Sequence, residues 1–357
     1  MMHLTEQKTR LLSLLQKAME LELATIPPYL TALLSIKLPG NRIAANLIRS
    51  VAIEEMLHMV LVGNVIASLG DKVCLRGASV PVYPLRLEFE GSPINDRDFD
   101  INLEPFSPHA IETFKKIEIP ADLLAPPAGQ QPQLNMVVPG ITLGQFYDRI
   151  ISMLQALCAD YPENTVFCGA PGHQINERYY WSSGGKPIVV SSLQTATEAL
   201  TVIKKQGEAS GNSIFDGDSE YFAQPAEAAH YFRFNEIACG RYYRPDDHPR
   251  MPPSGENFDV DYMAVYPIKR NAKSTDYQAG TALAQLNDKF NLQYSLMLMQ
   301  LELAFNGTPS ALFDTISNGM HGMTSLAREM MCRPIDGDAG GTHGAPSFEW
   351  ITPPLSL

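Results

Sequence analysis

The sequence predicts a mainly α-helical fold, a four-helix bundle with extra C-terminal helices and with irregular or β-containing insertions. Three observations predict it. Long segments carry apolar residues at the three- and four-residue spacing of a helix that faces a core. The tetrad Glu-x-x-His occurs inside two such segments, from Glu55 to His58 and from Glu227 to His230. The 27 prolines and 25 glycines among 357 residues indicate long irregular connections around the helices.

The first two bundle helices are predicted at residues 5–36 and 41–69. The opening segment carries one apolar stripe, made of Leu12, Leu15, Met19, Glu22, Ile26 and Tyr29. Gly40 and Gly70 supply the expected helix stops. Because the connection between the two helices is short, we expect them to be antiparallel neighbours.

Pro27 and Pro28 lie inside the first predicted helix. Each removes an intrahelical donor and clashes with the carbonyl four residues back, so the helix is expected to kink one turn after Glu22. Two interpretations stay open. Either packing absorbs the kink, or the kink widens the bundle and leaves room for a substrate.

The other elements follow within one predicted domain, residues 1–357. The remaining bundle helices are predicted at residues 192–208 and 219–240, with the stretch 142–158 as an alternative third helix. Insertions are expected at residues 71–190 and 241–274. The segment from Val80 to Glu90 alternates like a strand, and the segment from Val260 to Ile268 is a candidate partner for it. Two helices that buttress the bundle, at residues 276–305 and 309–331, close the chain.

The two Glu-x-x-His tetrads predict a site for two metal ions. Residues three apart on a helix share a face, with Cβ atoms about 5–6 Å apart, so one turn can present a carboxylate and an imidazole together. In di-iron and di-manganese carboxylate bundles, two helices each supply such a tetrad and the other two each supply a Glu. Glu55, His58, Glu227 and His230 match the tetrads, and two further glutamates are then expected.

Glu22 and Glu208 are the candidates for those two positions. Glu22 interrupts the apolar stripe of the first helix, whereas its alternative, Glu20, falls on the polar side. Glu208 ends the helix at 192–208, while the competing stretch 142–158 contains no Glu and offers only Gln145 and Asp148. Four buried carboxylates would carry four negative charges, which two divalent cations balance.

Tyr29 lies two turns beyond Glu22 on the same stripe and is the candidate catalytic residue. Its hydroxyl could donate a hydrogen bond near a metal ligand. The alternative is an aromatic side chain that only packs.

Composition and net charge indicate which kinds of molecule the protein is expected to bind. The net charge is −12 and no basic cluster is present, which argues against nucleic acid and anionic membranes and favours a small molecule. No apolar run reaches the eighteen or so residues of a membrane span, and the first residues do not resemble a signal peptide, so we expect a cytoplasmic protein. The five cysteines form no C-x-x-C pair, which indicates neither a disulfide framework nor a thiolate zinc site.

Several sequence blocks resemble the ferritin-like family typified by the iminophenylpyruvate dimer synthase domains of violacein and indolocarbazole biosynthesis. These blocks are Glu20-Leu-Glu-Leu-Ala-Thr-Ile-Pro-Pro-Tyr-Leu30, Glu54-Glu-Met-Leu-His-Met59, Gln206-Gly-Glu208, His230-Tyr-Phe-Arg-Phe234, Phe305-Asn-Gly307 and Ala345-Pro-Ser-Phe-Glu349. The resemblance implies a ferritin-like bundle in which iron or a similar ion is held by Glu22, Glu55, His58, Glu208, Glu227 and His230. It also implies a role in processing an amino-acid-derived imine in secondary metabolism.

Three departures from the family pattern indicate a different substrate pocket: Leu23 stands where a histidine is usual, Gln145 replaces a Glu, and Gly-Glu-Ala-Ser replaces Gly-Glu-Gly. The sequence therefore favours an enzyme, a di-iron oxidase, oxygenase or oxidative coupling enzyme. Manganese and zinc are the alternative ions. The contrasting class is a non-catalytic metal-binding or iron-handling protein. A second copy of the chain and an amino-acid oxidase of the same pathway are the candidate protein partners.

Overall fold

The computed structural model describes residues 4–89, 92–93, 99–124, 141–181, 184–209, 213–222 and 227–353. Its helices are α1 (Leu4–Ser35), α2 (Arg42–Ser68), α3 (Pro108–Ile117), α4 (Ala121–Leu124), α5 (Leu143–Asp160), α6 (Glu163–Val166), α7 (Leu193–Glu208), α8 (Asp218–Tyr221), α9 (His230–Cys239), α10 (Ala282–Phe305), α11 (Ala311–Asp314) and α12 (His321–Met331). A π-helix, Thr315–Met320, joins α11 to α12. The strands β1 (Glu88–Phe89) and β2 (Ser92–Pro93) form a short antiparallel hairpin. The predicted mainly α-helical class of fold is confirmed.

Four helices form the bundle, and one of them differs from the prediction. Helix α1 packs against α2 and α5, and α7 packs against α5 and α2. Helix α5 therefore occupies the position that the sequence assigned to residues 219–240. It can do so because Phe146, Ile150, Leu154 and Leu157 give it a continuous buried face.

The segment predicted as one helix at 219–240 is divided. Its described parts are the four-residue helix α8 and the ten-residue helix α9, and residues 223–226 lie outside the described part of the chain. Helix α9 begins at His230 and ends where Gly240 adopts φ 63°, a left-handed conformation that glycine tolerates. It packs mainly against α3.

The strand predictions also differ from the structure. The β-hairpin takes only two residues from the segment predicted as a strand from Val80, and Glu90 lies outside the described residues. Among the described residues, the second segment does not pair with it. Its backbone makes isolated bridges instead, from Val265 to Ile36 after α1 and from Ile268 to His343.

Helix α1 continues through both prolines. Pro28 cannot donate to the carbonyl of Ala24, and the hydroxyl of Tyr83 donates to that oxygen instead, at 2.8 Å. A residue from the first insertion therefore satisfies the acceptor that the helix leaves open. The backbone of α1 remains helical one turn beyond Glu22.

Helix α2 is the centre of the fold. Its length and hydropathy would suit a membrane span, but 78% of its apolar 18-residue stretch is buried inside the protein. It contacts α1, α7, α9 and α10, so its apolar residues serve the core of the bundle. Helices α10 and α12 pack against each other and against α2 and α1 respectively, as expected of buttressing helices.

Candidate metal centre

Helices α1 and α2 bring Glu22, Glu55 and His58 together inside the bundle. Each of these residues is at most 5% exposed. The Nδ1 atom of His58 lies 3.2 Å from Oε2 of Glu22 and 3.5 Å from Oε2 of Glu55. One potential ligand atom from each residue lies within 4.8 Å of the others. We call this group the first triad.

A second group shares one residue with the first. Glu55, Glu118 and His230 also place one ligand atom each within 4.8 Å of the others, and we call them the second triad. His230 Nδ1 lies 2.9 Å from Glu55 Oε1 and 3.6 Å from Glu118 Oε2. The rings of His58 and His230 stack with centroids 5.3 Å apart. Glu55 thus directs one oxygen to each histidine.

Both imidazoles present Nδ1 to the carboxylates and Nε2 to a hydrogen-bond acceptor. Nε2 of His58 lies 3.0 Å from Oε1 of Gln206, and Nε2 of His230 lies 2.9 Å from Oε2 of Glu54. Gln206 Nε2 donates to Gly184 O and to Asp218, which fixes its amide with the oxygen toward His58. Because neither acceptor can donate, a neutral ring carries its proton on Nε2 and turns the Nδ1 lone pair to the carboxylates.

That orientation calls for a cation between the rings and the carboxylates. A lone pair that faces a carboxylate oxygen is repelled unless a proton or a metal ion lies between them. Among the described residues, His230 Nδ1 finds no partner in hydrogen-bond geometry although it is buried. The five side chains offer carboxylate oxygen and imidazole nitrogen, a donor set that suits iron, manganese and zinc. The residues present therefore fit a pair of metal ions.

The pKa values of the cluster reflect crowded buried charge. Burial, followed by the charge of Glu55, raises the pKa of Glu22 to about 7. Burial lowers the pKa of His58, but hydrogen bonds to Glu22 and Glu55 outweigh that effect and raise it to about 10. The pKa of His230 is also raised well above its usual value, because contacts with Glu118, Glu54 and Glu55 outweigh burial. In the metal-free protein, protons on the two imidazoles offset the carboxylates.

Two tyrosines hold the outer carboxylates. Tyr147 from α5 donates its hydroxyl to Oε1 of Glu22, and Tyr29 donates to Oε1 of Glu118 at 2.5 Å. In each case the tyrosine occupies one oxygen and leaves Oε2, which faces the histidine of that triad. Tyr29 is fully buried against Phe114, with ring centroids 4.6 Å apart. It contacts a candidate ligand and not the centre of the cluster.

A buried ion-pair network lies behind His230. Glu54, the residue before Glu55 on α2, is 2% exposed, and its Oε1 accepts from Arg233 at 2.8 Å. Arg233 is 1% exposed and also contacts Asp216 at 3.1 Å. The guanidinium keeps the pKa of Glu54 below its usual value despite burial. Glu54 is therefore an ionised acceptor that orients His230.

The structure brings together four of the six predicted ligands, Glu22, Glu55, His58 and His230. It does not bring Glu227 to them. The Glu227 side chain is 57% exposed and lies 3.4 Å from Arg233. Glu227 precedes the first turn of α9, so the rule that residues three apart share a helical face does not apply to it.

Glu208 lies near the cluster but outside both triads. It lines a cavity of about 20 Å³ together with Glu22, Glu55, His58 and Glu118, a space about the size of one water molecule. Its Oε1 accepts from the N–H of Gly144 at 2.6 Å, which holds the carboxylate toward the start of α5. Burial raises the pKa of Glu208 to about 7. It is a neighbour of the site in this structure.

Glu118 is the residue that the sequence reasoning missed. It caps the C-terminus of α3 and is 3% exposed. The signal was present, because Ile111, Phe114 and Glu118 follow helical spacing in the same way as the stripe that identified Glu22. The di-metal bundle pattern takes its ligands from the four bundle helices, whereas α3 belongs to the first insertion.

Comparisons with known proteins agree with this architecture. A model of the ferritin-like family matches residues 15–239, more than half of the chain. Dichlorochromopyrrolate synthase of Lentzea aerocolonigenes is 24% identical in an alignment of 323 residues that covers 84% of this chain and 29% of that protein. The chain thus spans less than a third of that relative's length. The crystal structure of a ferritin-like protein from Caulobacter vibrioides is similar in fold, with a TM-score of 0.56 and 22% identity, covering 90% of this chain and 94% of the other. The chain belongs to the ferritin-like family, as the resemblance of its sequence blocks indicated.

Proposed function

We propose that the protein is a di-metal carboxylate oxidoreductase that holds two divalent ions, with iron as the first candidate and manganese and zinc as the alternatives. The observation that carries the proposal is the shared Glu55, whose two oxygens face the histidines of two adjacent triads. A carboxylate in this position can bridge two ions, as glutamates do in di-metal bundles.

Glu22, Glu55 and His58 would hold one ion, and Glu55, Glu118 and His230 the other. Three protein ligands for each ion leave positions open for small molecules. When bound, a pair of iron ions supplies redox chemistry with dioxygen. The chain's own contribution is to exclude water, to fix the rings through Gln206 and Glu54, and to hold protons at the two tyrosine hydroxyls.

This assignment places Glu118 in the role that the sequence gave to Glu227. The contacts also favour Glu118 over Glu208, since Glu208 is held by the Gly144 N–H. Glu208 would be a fourth carboxylate close to the ions that helps to balance their charge. Tyr29 would be a positioning residue that acts through Glu118, since it contacts that carboxylate and lies outside the triads.

We propose a small, amino-acid-derived imine of secondary metabolism as the substrate. The sequence blocks support this, as does the similarity to dichlorochromopyrrolate synthase. The net charge of −12 is consistent with a small-molecule partner rather than nucleic acid or an anionic membrane. A cytoplasmic location, self-association and cooperation with a pathway amino-acid oxidase belong to the same proposal.

One observation favours a second candidate, a non-catalytic metal-binding or iron-handling protein. The cavity beside the triads has a volume of about 20 Å³, which admits a water-sized molecule and no organic substrate. An enzyme with this site must open between α5 and α7 when its substrate binds. A metal-storing or structural role needs no such opening.

Anaerobic titration of the full chain with ferrous iron, followed by exposure to oxygen, tests the proposal. We expect two ions per chain and oxygen consumption on mixing. Glu55→Gln should lose both ions, whereas Glu20→Gln, a matched change on the polar side of α1, should keep them. Stable binding of two ions without oxygen consumption would favour the second candidate. Full metal binding by Glu55→Gln would contradict the site itself.

A further inference from the structure

A large cavity lies on the other side of the α1–α2 layer, between these helices and the C-terminal helices α10 and α12. Its volume is about 800 Å³ and its walls are mostly apolar, with Leu23, Ile26, Met56, Met59, Met297 and Phe348 among the lining residues. Pockets for small molecules are typically about 300–1,000 Å³ and mostly apolar. None of its lining residues is shared with the small cavity at the triads. The two spaces are therefore separate sites.

The charged residues that line this cavity in the described part of the chain are both basic. They are Arg49 and Arg328, and no described aspartate or glutamate lines the cavity, although the chain carries 39 acidic residues. Both arginines are exposed. Among the described residues, neither guanidinium has a carboxylate within ion-pair distance, and Arg49 donates only to the amide oxygen of Asn46, at 2.9 Å. In a protein of net charge −12, this local absence of acids favours an anionic group at the cavity.

A second observation is an unusual backbone conformation at the wall of the cavity. The π-helix Thr315–Met320 reaches this cavity through Met320, and π-helical turns are frequent at functional sites.

We propose that the large cavity binds an amphipathic carboxylate with an elongated apolar body, of the size of a fatty acid. The carboxylate lies against Arg49 and Arg328 at the exposed edge, and the hydrocarbon body lies between α1, α2, α10 and α12. Binding is non-covalent. This site is independent of the two metal triads and goes beyond the proposed oxidoreductase function.

Isothermal titration of the full, metal-loaded chain with straight-chain carboxylates of eight to sixteen carbons, below their micellar concentrations, tests the proposal. Each methylene that enters an apolar cavity should tighten binding up to about fourfold. The affinity should therefore rise steeply along the series. Fluorescence of Trp181, which also lines this cavity, gives a second readout. Methyl esters of the same acids should bind about tenfold more weakly, because they lack the charge that the arginines recognise.

Matched variants separate the cavity from the rest of the surface. The double variant Arg49→Gln/Arg328→Gln should weaken binding about tenfold or more, while Arg42→Gln/Arg333→Gln, two exposed arginines outside the cavity, should not. Thr324→Trp places an indole in the cavity and should block long chains, whereas Ser325→Trp adds the same group on the exposed neighbouring position. The metal content should be unchanged in all four variants.

Three results would overturn the proposal. One is an affinity that does not depend on chain length, and another is equal binding of acids and methyl esters. The third is tighter binding of alkylammonium ions of the same length. If Thr324→Trp failed to fold, the variant Arg49→Gln/Arg328→Gln, which changes only exposed side chains, would still test the proposal.

Discussion

Glu118→Gln is the substitution that separates the site seen in the structure from the one predicted from the sequence. The change removes a charge from the second triad and keeps the size of the side chain. The amide oxygen of glutamine can still accept the hydrogen bond from Tyr29. The packing at the end of α3 should therefore persist, and the substitution should weaken the binding of the metal ion at the second triad.

The expected magnitude follows from the size of the triad. Its ligand atoms lie within 4.8 Å of one another, so an ion among them is closer than that to each. Two unit charges 4.8 Å apart at an effective dielectric constant of about 20 interact by about 3.5 kcal/mol. A divalent ion carries twice that charge and lies closer, so loss of the attraction should lower the affinity of the second ion by at least roughly a few hundred-fold. At micromolar metal, the chain should fall from two bound ions to one.

Metal analysis after anaerobic loading and desalting measures the number of ions, and competition with a chelator measures each affinity. The matched control is Glu227→Gln, which changes the glutamate that the sequence favoured and that is 57% exposed in the structure. It should keep two ions. The opposite pattern, loss of an ion in Glu227→Gln and two ions in Glu118→Gln, would refute the assignment of the second triad.

Three further predictions follow from the same contacts. In the metal-free chain the pKa of His58 is raised from 6.5 to about 10, so its proton contributes stability that is fully present below pH 6.5 and is lost as the pH rises through 10. A metal ion must displace that proton, so metal titrations at a series of pH values should show the metal affinity rising up to about tenfold per pH unit for each proton released. A metal affinity that stays constant between pH 6.5 and 9 would contradict this. Glu54→Gln removes one of the two buried carboxylates that face Arg233, while Asp216 remains, so it should lower the free energy of unfolding by about 1–3 kcal/mol, measured in urea. A loss under about 0.5 kcal/mol would argue against the network. Gly144→Ala places a Cβ atom 2.4 Å from Oε2 of Glu208, so that carboxylate must move; if Glu208 is only a neighbour, metal analysis should still find two ions.

The first triad could be predicted from the sequence because it depends only on helical periodicity. Helices α1 and α2 are long and regular, and an apolar stripe broken by Glu22, or by Glu55 and His58, marks an inward polar residue. A buried carboxylate requires a positively charged partner, so the pattern also predicted that a cation or a proton lies beside these residues. No long-range contact had to be known.

The second triad could not be predicted in the same way because it is assembled from the ends of short helices. Glu118 caps α3, and His230 is the first residue of α9. A helix of only ten residues gives a weak periodic pattern. The tetrad that starts at Glu227 lies before α9 except for His230, so its three-residue spacing does not correspond to a helical turn. His230 lies at the cluster, but the helical spacing that suggested it holds only for the tetrad on α2.

Glu54 shows a second limit of the amphipathic argument. A stripe identifies one inward face, and Glu54, next to Glu55 in the chain, lies beside that face and not on it. Helix α2 is surrounded by α1, α7, α9 and α10, so its flank is buried as well. The residue that makes this burial tolerable is Arg233, which comes from α9 and is 179 positions away in the chain.

The contacts behind the two histidines explain how the site can keep its shape with and without ions. Gln206 and Glu54 accept from Nε2 of the two rings, and Tyr147 and Tyr29 donate to the outer carboxylates, so every one of these contacts is directed away from the metal positions. None of them has to break when an ion enters. Protons on the two Nδ1 atoms offset the carboxylates when no metal is bound, and the proposed ions would replace those protons. Metal binding should therefore exchange protons for cations within a fixed frame, which makes release of protons, rather than folding of the chain, the main event that accompanies loading.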